Sequence, residues 1–225
     1  MFAKANEVKG NVLDMGANIG YFSLLLSKYS PSSVIYAIEP GEKNSEYLEA
    51  NIVNCKLSNV TSIKVAISNY IGHQEFMEDS AWGTLVQNEL TENKSLDQDS
   101  TELVRVATTD DLVATLGLTN LELIKIDIEG FEFQAFEGMQ MTIEKFNPKI
   151  IFEYNSYCIV AYGKRNPIEF LNFVEKKFRN IHIFKHKFDE NSELTESVDR
   201  NDFGIRHFHN NVVYNGSVDN FLVWN

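Results

Sequence analysis

The chain has 225 residues, 44% of them hydrophobic, which favours one globular domain with a large core. No apolar run approaches the roughly 20 residues that cross a bilayer, and none of the chain reads as a membrane segment. With 20 basic against 32 acidic residues the net charge is −12, a surface that repels phosphate backbones and argues against nucleic acid as the main partner, a local basic patch aside.

No charged-then-apolar signal segment opens the chain, so it reads as cytoplasmic. Val12-Leu13 is a short strand, and Gly20 to Lys28 a helix with Tyr21, Leu24, Leu25 and Tyr29 on one side. Ser30-Pro31-Ser32-Ser33 breaks it. Val34 to Ile38 is a second strand, Glu42 to Asn54 a helix burying Tyr47, Leu48 and Ile52, and Val60 to Ile67 a third strand. Ile71 to Met77 and Trp82 to Val86 are strand pieces or a loop flap, and the polar stretch Glu89 to Thr101 is a mobile surface loop. Leu103 to Ala107 is a short strand. Thr109-Asp110-Asp111 then caps a helix that runs to about Gly117.

Leu123 to Asp127 is a fourth strand, Glu132 to Glu137 a helix stopped at Gly138, and Lys149 to Glu153 a fifth strand. Pro167 to Phe178 is a helix opened by proline, with Phe170, Phe173, Val174 and Phe178 on a core face. Ile181 to Phe184 and Phe221 to Trp224 are the last two strands. Strands alternating with helices predict an α/β, Rossmann-like fold: a mostly parallel sheet with helices on both faces. No linker or repeat divides the chain, so residues 1–225 read as a single domain.

The densest motif is Asp14-Met15-Gly16-Ala17-Asn18-Ile19-Gly20, a glycine turn between the first strand and helix. A dinucleotide site wants a second glycine where Asn18 stands, so that backbone can approach the pyrophosphate. Asp14 would add a negative charge beside any phosphate. Both features turn away from NAD and toward a ligand with an ammonium group and no phosphate, such as S-adenosylmethionine. An acid can hold its amine, and amides at a helix start can hold its carboxylate. Glu39 follows at the spacing of an acid that accepts ribose hydroxyls. Ser68, at the end of the third strand, is either a hydrogen-bonding partner for the adenine edge or a plain strand end.

The second motif is Lys125-Ile126-Asp127-Ile128-Glu129-Gly130-Phe131-Glu132. In an open parallel sheet, ligands bind beyond the carboxyl ends of the strands. Asp127 and Glu129 then border the cofactor pocket, where a carboxylate can orient or deprotonate a substrate hydroxyl, bind the positive end of the cofactor, or hold a divalent metal. Helix capping explains Glu132. A charged Lys125 inside an apolar strand needs a partner, and these acids supply one. Glu153 ends the fifth strand at the same sheet edge, as a further carboxylate toward the substrate or as a solvated strand end. Cys55 and Cys158 form no metal-type pair, and His207 and His209, alternating as on a strand face, lack a third ligand, so no metal site is assigned.

The residues Asp14-x-Gly16-Ala17-Asn18-x-Gly20-Tyr21-Phe22-Ser23, Glu39-Pro40, Lys125-Ile-Asp127-x-Glu129-Gly130-x-Glu132 and Pro148-Lys-Ile-Ile-Phe-Glu153 together resemble the FkbM family of methyltransferases. The resemblance runs from about Val8 to Glu153. It implies a class I methyltransferase fold, with a seven-stranded sheet of parallel strands and one antiparallel strand near the edge. It implies S-adenosylmethionine as methyl donor and a hydroxyl of a sugar, polyketide or related small molecule as acceptor. It places Asp14, Gly16, Ala17, Asn18, Gly20 and Glu39 in the cofactor site, and Asp127, Glu129 and Glu132 near the reaction centre. Such proteins carry a helical segment before the glycine motif, whereas only Met1 to Asn11 precede the first strand here.

The sequence therefore reads as an S-adenosylmethionine-dependent O-methyltransferase, with Asp127, Glu129 and Glu153 as the catalytic candidates. The alternative is a non-catalytic module of the same fold that binds S-adenosylmethionine or a partner.

Overall fold

The computed structural model describes residues 8–79, 82–86, 101–185, 195–213, 216 and 218–225. The chain opens with β1 (Asn11–Met15), α1 (Tyr21–Tyr29), β2 (Val34–Ile38), α2 (Glu42–Asn54) and β3 (Val60–Ile63). A run of strands follows: β4 (Ala66–Ile67), β5 (Gly72–Asp79), β6 (Trp82–Leu85) and β7 (Thr101–Ala107). Alternation resumes with α3 (Thr109–Thr115), β8 (Leu123–Ile126), α4 (Glu132–Glu137), α5 (Gln140–Phe146), β9 (Lys149–Asn155), α6 (Ser156–Ala161) and α7 (Pro167–Lys177). The chain closes with β10 (Asn180–Phe184), β11 (Thr195–Ser197), α8 (Phe203–Val213) and β12 (Val218–Trp224). Of the expected polar loop, residues 89–100 lie outside the described residues and Thr101 begins β7.

Among the described residues the main sheet has eight strands in the order β11-β10-β12-β9-β8-β1-β2-β3. β3, β2, β1, β8 and β9 pair in parallel, while β12 runs antiparallel to both β9 and β10. Seven of these strands are the expected set. The eighth, β11, is a three-residue edge strand antiparallel to β10. The order reverses beside β1, whose neighbours are β2 and β8, and such a reversal opens a crevice at the carboxyl ends of the strands.

The expected third strand, Val60 to Ile67, is two strands in two sheets. β3 ends at Ile63 in the main sheet, and β4 joins a second sheet in the order β4-β7-β5-β6. The pieces around Ile71 to Val86, read as strands or flap, are the hairpin β5–β6 of that sheet.

Side-chain alternation explains why both faces of the central strands are covered. Along β1 and β2, Val12, Ile35 and Ala37 pack with Leu26 of α1 and Leu48 of α2. Leu13, Met15 and Ile38 point the other way into a larger core fed by helices α3 to α8. Phe136, Phe152, Phe170 and Phe221 are fully buried there, with Phe136 and Phe152 edge-on at 5.2 Å and Phe152 and Phe221 stacked at 5.4 Å. Such pairs add about 0.5–1.5 kcal/mol each beyond their buried area.

Helix starts follow local chemistry. Asn166 caps α7 by accepting from Ile168 N and Glu169 N, with Pro167 in the first turn as expected. Thr108, one residue earlier than expected, caps α3 by accepting from Asp111 N. His207 and His209 lie on α8 and not on a strand, because Phe203, His207 and Asn211 recur with helical spacing. His207 packs its ring on Phe203 at 4.8 Å while His209 is exposed, so the two do not share a ligand direction.

Candidate active site

A cavity of about 180 Å³ opens at the reversal point. Gly16, Asn18, Glu39, Asp127 and Glu129 line it, together with an apolar wall of Ile38, Val65, Ala66, Ile67, Phe76, Leu85 and Phe131. Five of the residues assigned from the sequence thus converge, although Gly16 and Asp127 lie far apart in the chain. The remaining five, Asp14, Ala17, Gly20, Ser68 and Glu153, do not line it.

The glycine turn is shaped by close backbone approach. A Cβ on Gly16 would stand 1.8 Å from the carbonyl oxygen of Asp127, and the residue has φ +75°. Only glycine lets β1 and β8 end this near one another. Asn18 also has positive φ, at 51°, a conformation asparagine tolerates better than most residues. The amides of Gly16 and Ala17 donate to Ile38 O at 3.0 and 2.9 Å, and that of Asn18 to Glu39 Oε2 at 2.9 Å. These three amides tie the turn to β2 and Glu39. Ala17 is buried against the α1–α2 core, and Gly20 forms the N-cap of α1.

Asp14 lies beneath the turn with no exposure. It accepts from Ser23 Oγ at 2.6 Å, and Lys125 Nζ stands 3.4 Å from its other oxygen. Lys125 also donates to Gly16 O at 2.8 Å and lies 3.5 Å from Asp127 Oδ2. The lysine's partners therefore include one acid of the expected cluster, Asp127, and in addition Asp14. Burial alone would push this ammonium down, and Asp14 and Asp127 hold its pKa above the ordinary value.

Glu39 is 4% exposed and accepts Gly41 N at 3.1 Å as well as Asn18 N. Burial pushes it up to about 7, the two amides opposing and the nearby Glu78 reinforcing that rise. Glu132, buried in α4, accepts from Ile128 N at 2.9 Å and Gly130 N at 3.1 Å, and so folds the acid loop around itself. Burial raises it to about 7 as well. Glu129, at positive φ, is raised by burial and then by Asp127, and its Oε2 lies 3.5 Å from Cys158 Sγ. Glu153 of β9 is pushed up to about 8 by burial and by Asp127, Glu132 and Glu129. Although it does not line the cavity, it belongs electrostatically to the same group of carboxyls.

The second sheet roofs the cavity with Phe76, Gly83, Thr84 and Leu85, and Thr84 Oγ1 donates to Glu129 O at 3.1 Å. A Cβ on Gly83 would meet the Phe76 ring at 2.3 Å, so glycine there admits the ring. Ser68 faces a different, open groove, with Tyr70, His73, Gln134 and Arg165. Of the aromatic residues near the site, Tyr154 is fully buried core and Tyr157 is exposed on α6. Glu78 was missed: the strand signal was read only to Met77. Its trace in the sequence is an acid one alternation beyond Phe76, on the same strand face.

Among the described residues, no group of three or more His, Cys, Asp or Glu side chains has a metal-holding arrangement, and no helix is long and apolar enough to cross a membrane.

A family model described as the methyltransferase FkbM domain matches residues 14–180. Over 58 residues the chain is 48% identical to tRNA(Phe) (4-demethylwyosine(37)-C(7)) aminocarboxypropyltransferase of Methanocaldococcus jannaschii, a stretch covering 26% of this chain and 22% of that protein. In structure the chain is similar to methyltransferase FkbM from Methylobacillus flagellatus KT, with a TM-score of 0.56 and 15% identity, over 94% of this chain and 43% of that one. It is also similar to a chain of a fibrillarin/Nop5p complex, with a TM-score of 0.50 and 14% identity, over 96% of this chain and 73% of that one. These two likenesses show the α/β fold. The chain spans less than half of the FkbM structure and about a fifth of the tRNA-modifying relative.

Proposed function

The chain belongs to the FkbM methyltransferase family, and from that premise we propose that it transfers a methyl group from S-adenosylmethionine to a hydroxyl of a small molecule such as a sugar or polyketide. The observation that carries the donor reading is Glu39. A carboxylate offers about four acceptor positions. Two of them take the amides of Asn18 and Gly41, which leaves two at the cavity for a pair of ribose hydroxyls. The apolar wall of Ile38, Val65, Ala66, Ile67, Phe76 and Leu85 suits a purine ring.

Asp14 is enclosed by Ser23 and Lys125, so its contribution is to hold Lys125 and the turn. Asp127, with its side chain 39% exposed at the cavity, is the carboxylate that reaches a ligand ammonium group. When bound, S-adenosylmethionine supplies a methyl group already activated by a sulfonium, so the protein has mainly to align an oxygen nucleophile. Glu129 lines the cavity with a pKa raised by burial and by Asp127, which makes it a stronger base for orienting the acceptor hydroxyl or taking its proton. Glu153, raised to about 8 by burial and by Asp127, Glu132 and Glu129, stands behind the cavity as a carboxyl that stays mostly protonated at neutral pH.

One matched relative acts on tRNA by its name. For this chain the net charge of −12 and the acids around the cavity favour a small acceptor without phosphates. Calorimetry with S-adenosylmethionine and S-adenosylhomocysteine tests the donor site, and methyl transfer to a panel of hydroxylated acceptors tests the reaction. Absence of donor binding would overturn the reading. Donor binding without transfer to any acceptor would favour the non-catalytic module.

A further inference from the structure

The first turn of α2 is held by three glutamates from three strands or strand ends. Its amides are those of Gly41, Glu42, Lys43 and Asn44, the groups a helix leaves without intrahelical partners. Gly41 N donates to Glu39 Oε1 at 3.1 Å and Glu42 N to Glu102 Oε1 at 2.6 Å. Lys43 N and Asn44 N donate to the two oxygens of Glu78 at 3.2 and 2.8 Å. Glu39 follows β2 in the main sheet, whereas Glu78 belongs to β5 and Glu102 to β7 of the roofing sheet.

Glu78 and Glu39 meet at Gly41. A Cβ there would be 2.4 Å from Glu78 Oε1 and 3.2 Å from Glu39 Oε1, so the two carboxyl groups press on one glycine from two sides. Glu78 is only 7% exposed. A buried carboxyl with two amide partners is ordinary helix capping. A second buried carboxyl beside it is not, because like charges at short range disfavour joint ionisation.

We propose that Glu78 is a positioning residue for the donor site: it fastens the roofing sheet to α2 and sets its own charge beside Glu39, so that donor binding is coupled to loss of a proton from Glu39. The coupling rests on the donor reading given above. Ribose hydroxyls donate to an ionised Glu39 and compete poorly for a protonated one. Glu39 stands near 7, raised by burial and by Glu78. Donor affinity is therefore highest at alkaline pH and falls as pH drops through that value, by roughly tenfold per pH unit well below it. The other charged groups around the pair are few. Lys125 of β8 lowers Glu39, and is itself shared with Asp14 and Asp127. Glu102 and Glu42 lie with Lys64 at the outer side of the same turn.

The test is the pH profile of S-adenosylhomocysteine binding by calorimetry, for the wild type and Glu78→Gln. Glutamine removes the charge and keeps one acceptor oxygen for the α2 amides, at the loss of one of the two amide bonds, which lowers affinity alike at every pH and leaves the midpoint as the readout. The midpoint is expected near 7 in the wild type and at lower pH in the variant, so that the ratio of variant to wild-type affinity rises as pH falls through that range. An unchanged midpoint, with or without a uniform weakening at every pH, would reduce Glu78 to a cap and overturn the coupling. Should the variant fail to fold, wild-type titrations in two buffers of different ionisation enthalpy decide it. Proton release on binding near pH 6 and little at alkaline pH is expected, and none at either sinks the idea. A wild type that binds at all pH values with a flat profile overturns the coupling alone, whereas one that never binds overturns the donor site with it.

Discussion

Glu39 and Glu129 both line the cavity with raised pKa values, but their surroundings differ. Glu39 is braced by two backbone amides and has fixed acceptor positions. Glu129 sits on a loop at positive φ with a thiol as its side-chain neighbour. Replacing Glu39 with Gln removes the charge that strengthens two ligand hydrogen bonds, and charge-assisted bonds contribute about 1.5–3 kcal/mol each. Donor affinity should fall at least about tenfold at alkaline pH, which calorimetry can measure. Glu129→Gln should leave donor affinity within about twofold and slow turnover about a hundredfold, the range of a lost general base. A wild-type rate in that variant removes Glu129 from the base role. At this scale the sequence was most legible where neighbours in the chain are neighbours in space, as in Asp14 to Gly20. It disclosed the need of Lys125 for a partner. It could not disclose that Asp14 is enclosed, since that depends on Ser23 turning inward from α1.

Among the elements, the contact between the ends of β1 and β8 is the tightest constraint. Gly16→Ala would force a methyl group to within 1.8 Å of Asp127 O and hold alanine at φ +75°. The strands would have to part, at an expected cost of at least about 2 kcal/mol. The thermal midpoint of this variant should drop by several degrees, together with loss of donor binding, and an unchanged midpoint would contradict the geometry. Elements with their own local signal were readable: α7 from its Asn166-Pro167 start and the strands from their apolar runs. The break of Val60 to Ile67 was not, because Lys64 and Val65 interrupt an apolar run only in three dimensions, where the chain leaves one sheet for the other. The helix α8 was hidden by His-x-His alternation. Its helical face is marked by Phe203, His207 and Asn211, of which only the first is apolar.

At the scale of the molecule, three buried or half-buried carboxyls among the described residues have the largest upward shifts of any acid and dominate the response above about pH 6.5. Glu39 and Glu132 stand near 7 and Glu153 near 8, against an ordinary 4.5. Between those values the folded chain binds more protons than the unfolded one. The stability this contributes is fully present below about pH 4.5 and is lost as pH rises through 7 to 8. The thermal midpoint should fall from about pH 5.5 to about pH 8.5, and Glu153→Gln should flatten the decline. A midpoint that rises across that range would rule the assignment out. Donor binding and stability thus lean in opposite directions with pH, because the ionised Glu39 that suits the ligand is the form burial opposes. The Asp14–Lys125 pairing also orders events during translation. Lys125 follows Gly16, the neighbour it clasps, by 109 residues, an interval of about 5–20 seconds at ribosomal speed. Throughout it, the edge of β1 that pairs with β8 in the folded chain has no partner strand. Asp14 keeps a charge in the middle of that edge and discourages it from pairing with other nascent chains. Ribosome-stalled chains ending before Lys125 should therefore pellet more readily when Asp14 is replaced by Val than with the native residue. Lys125 then neutralises the charge as β8 seals the sheet.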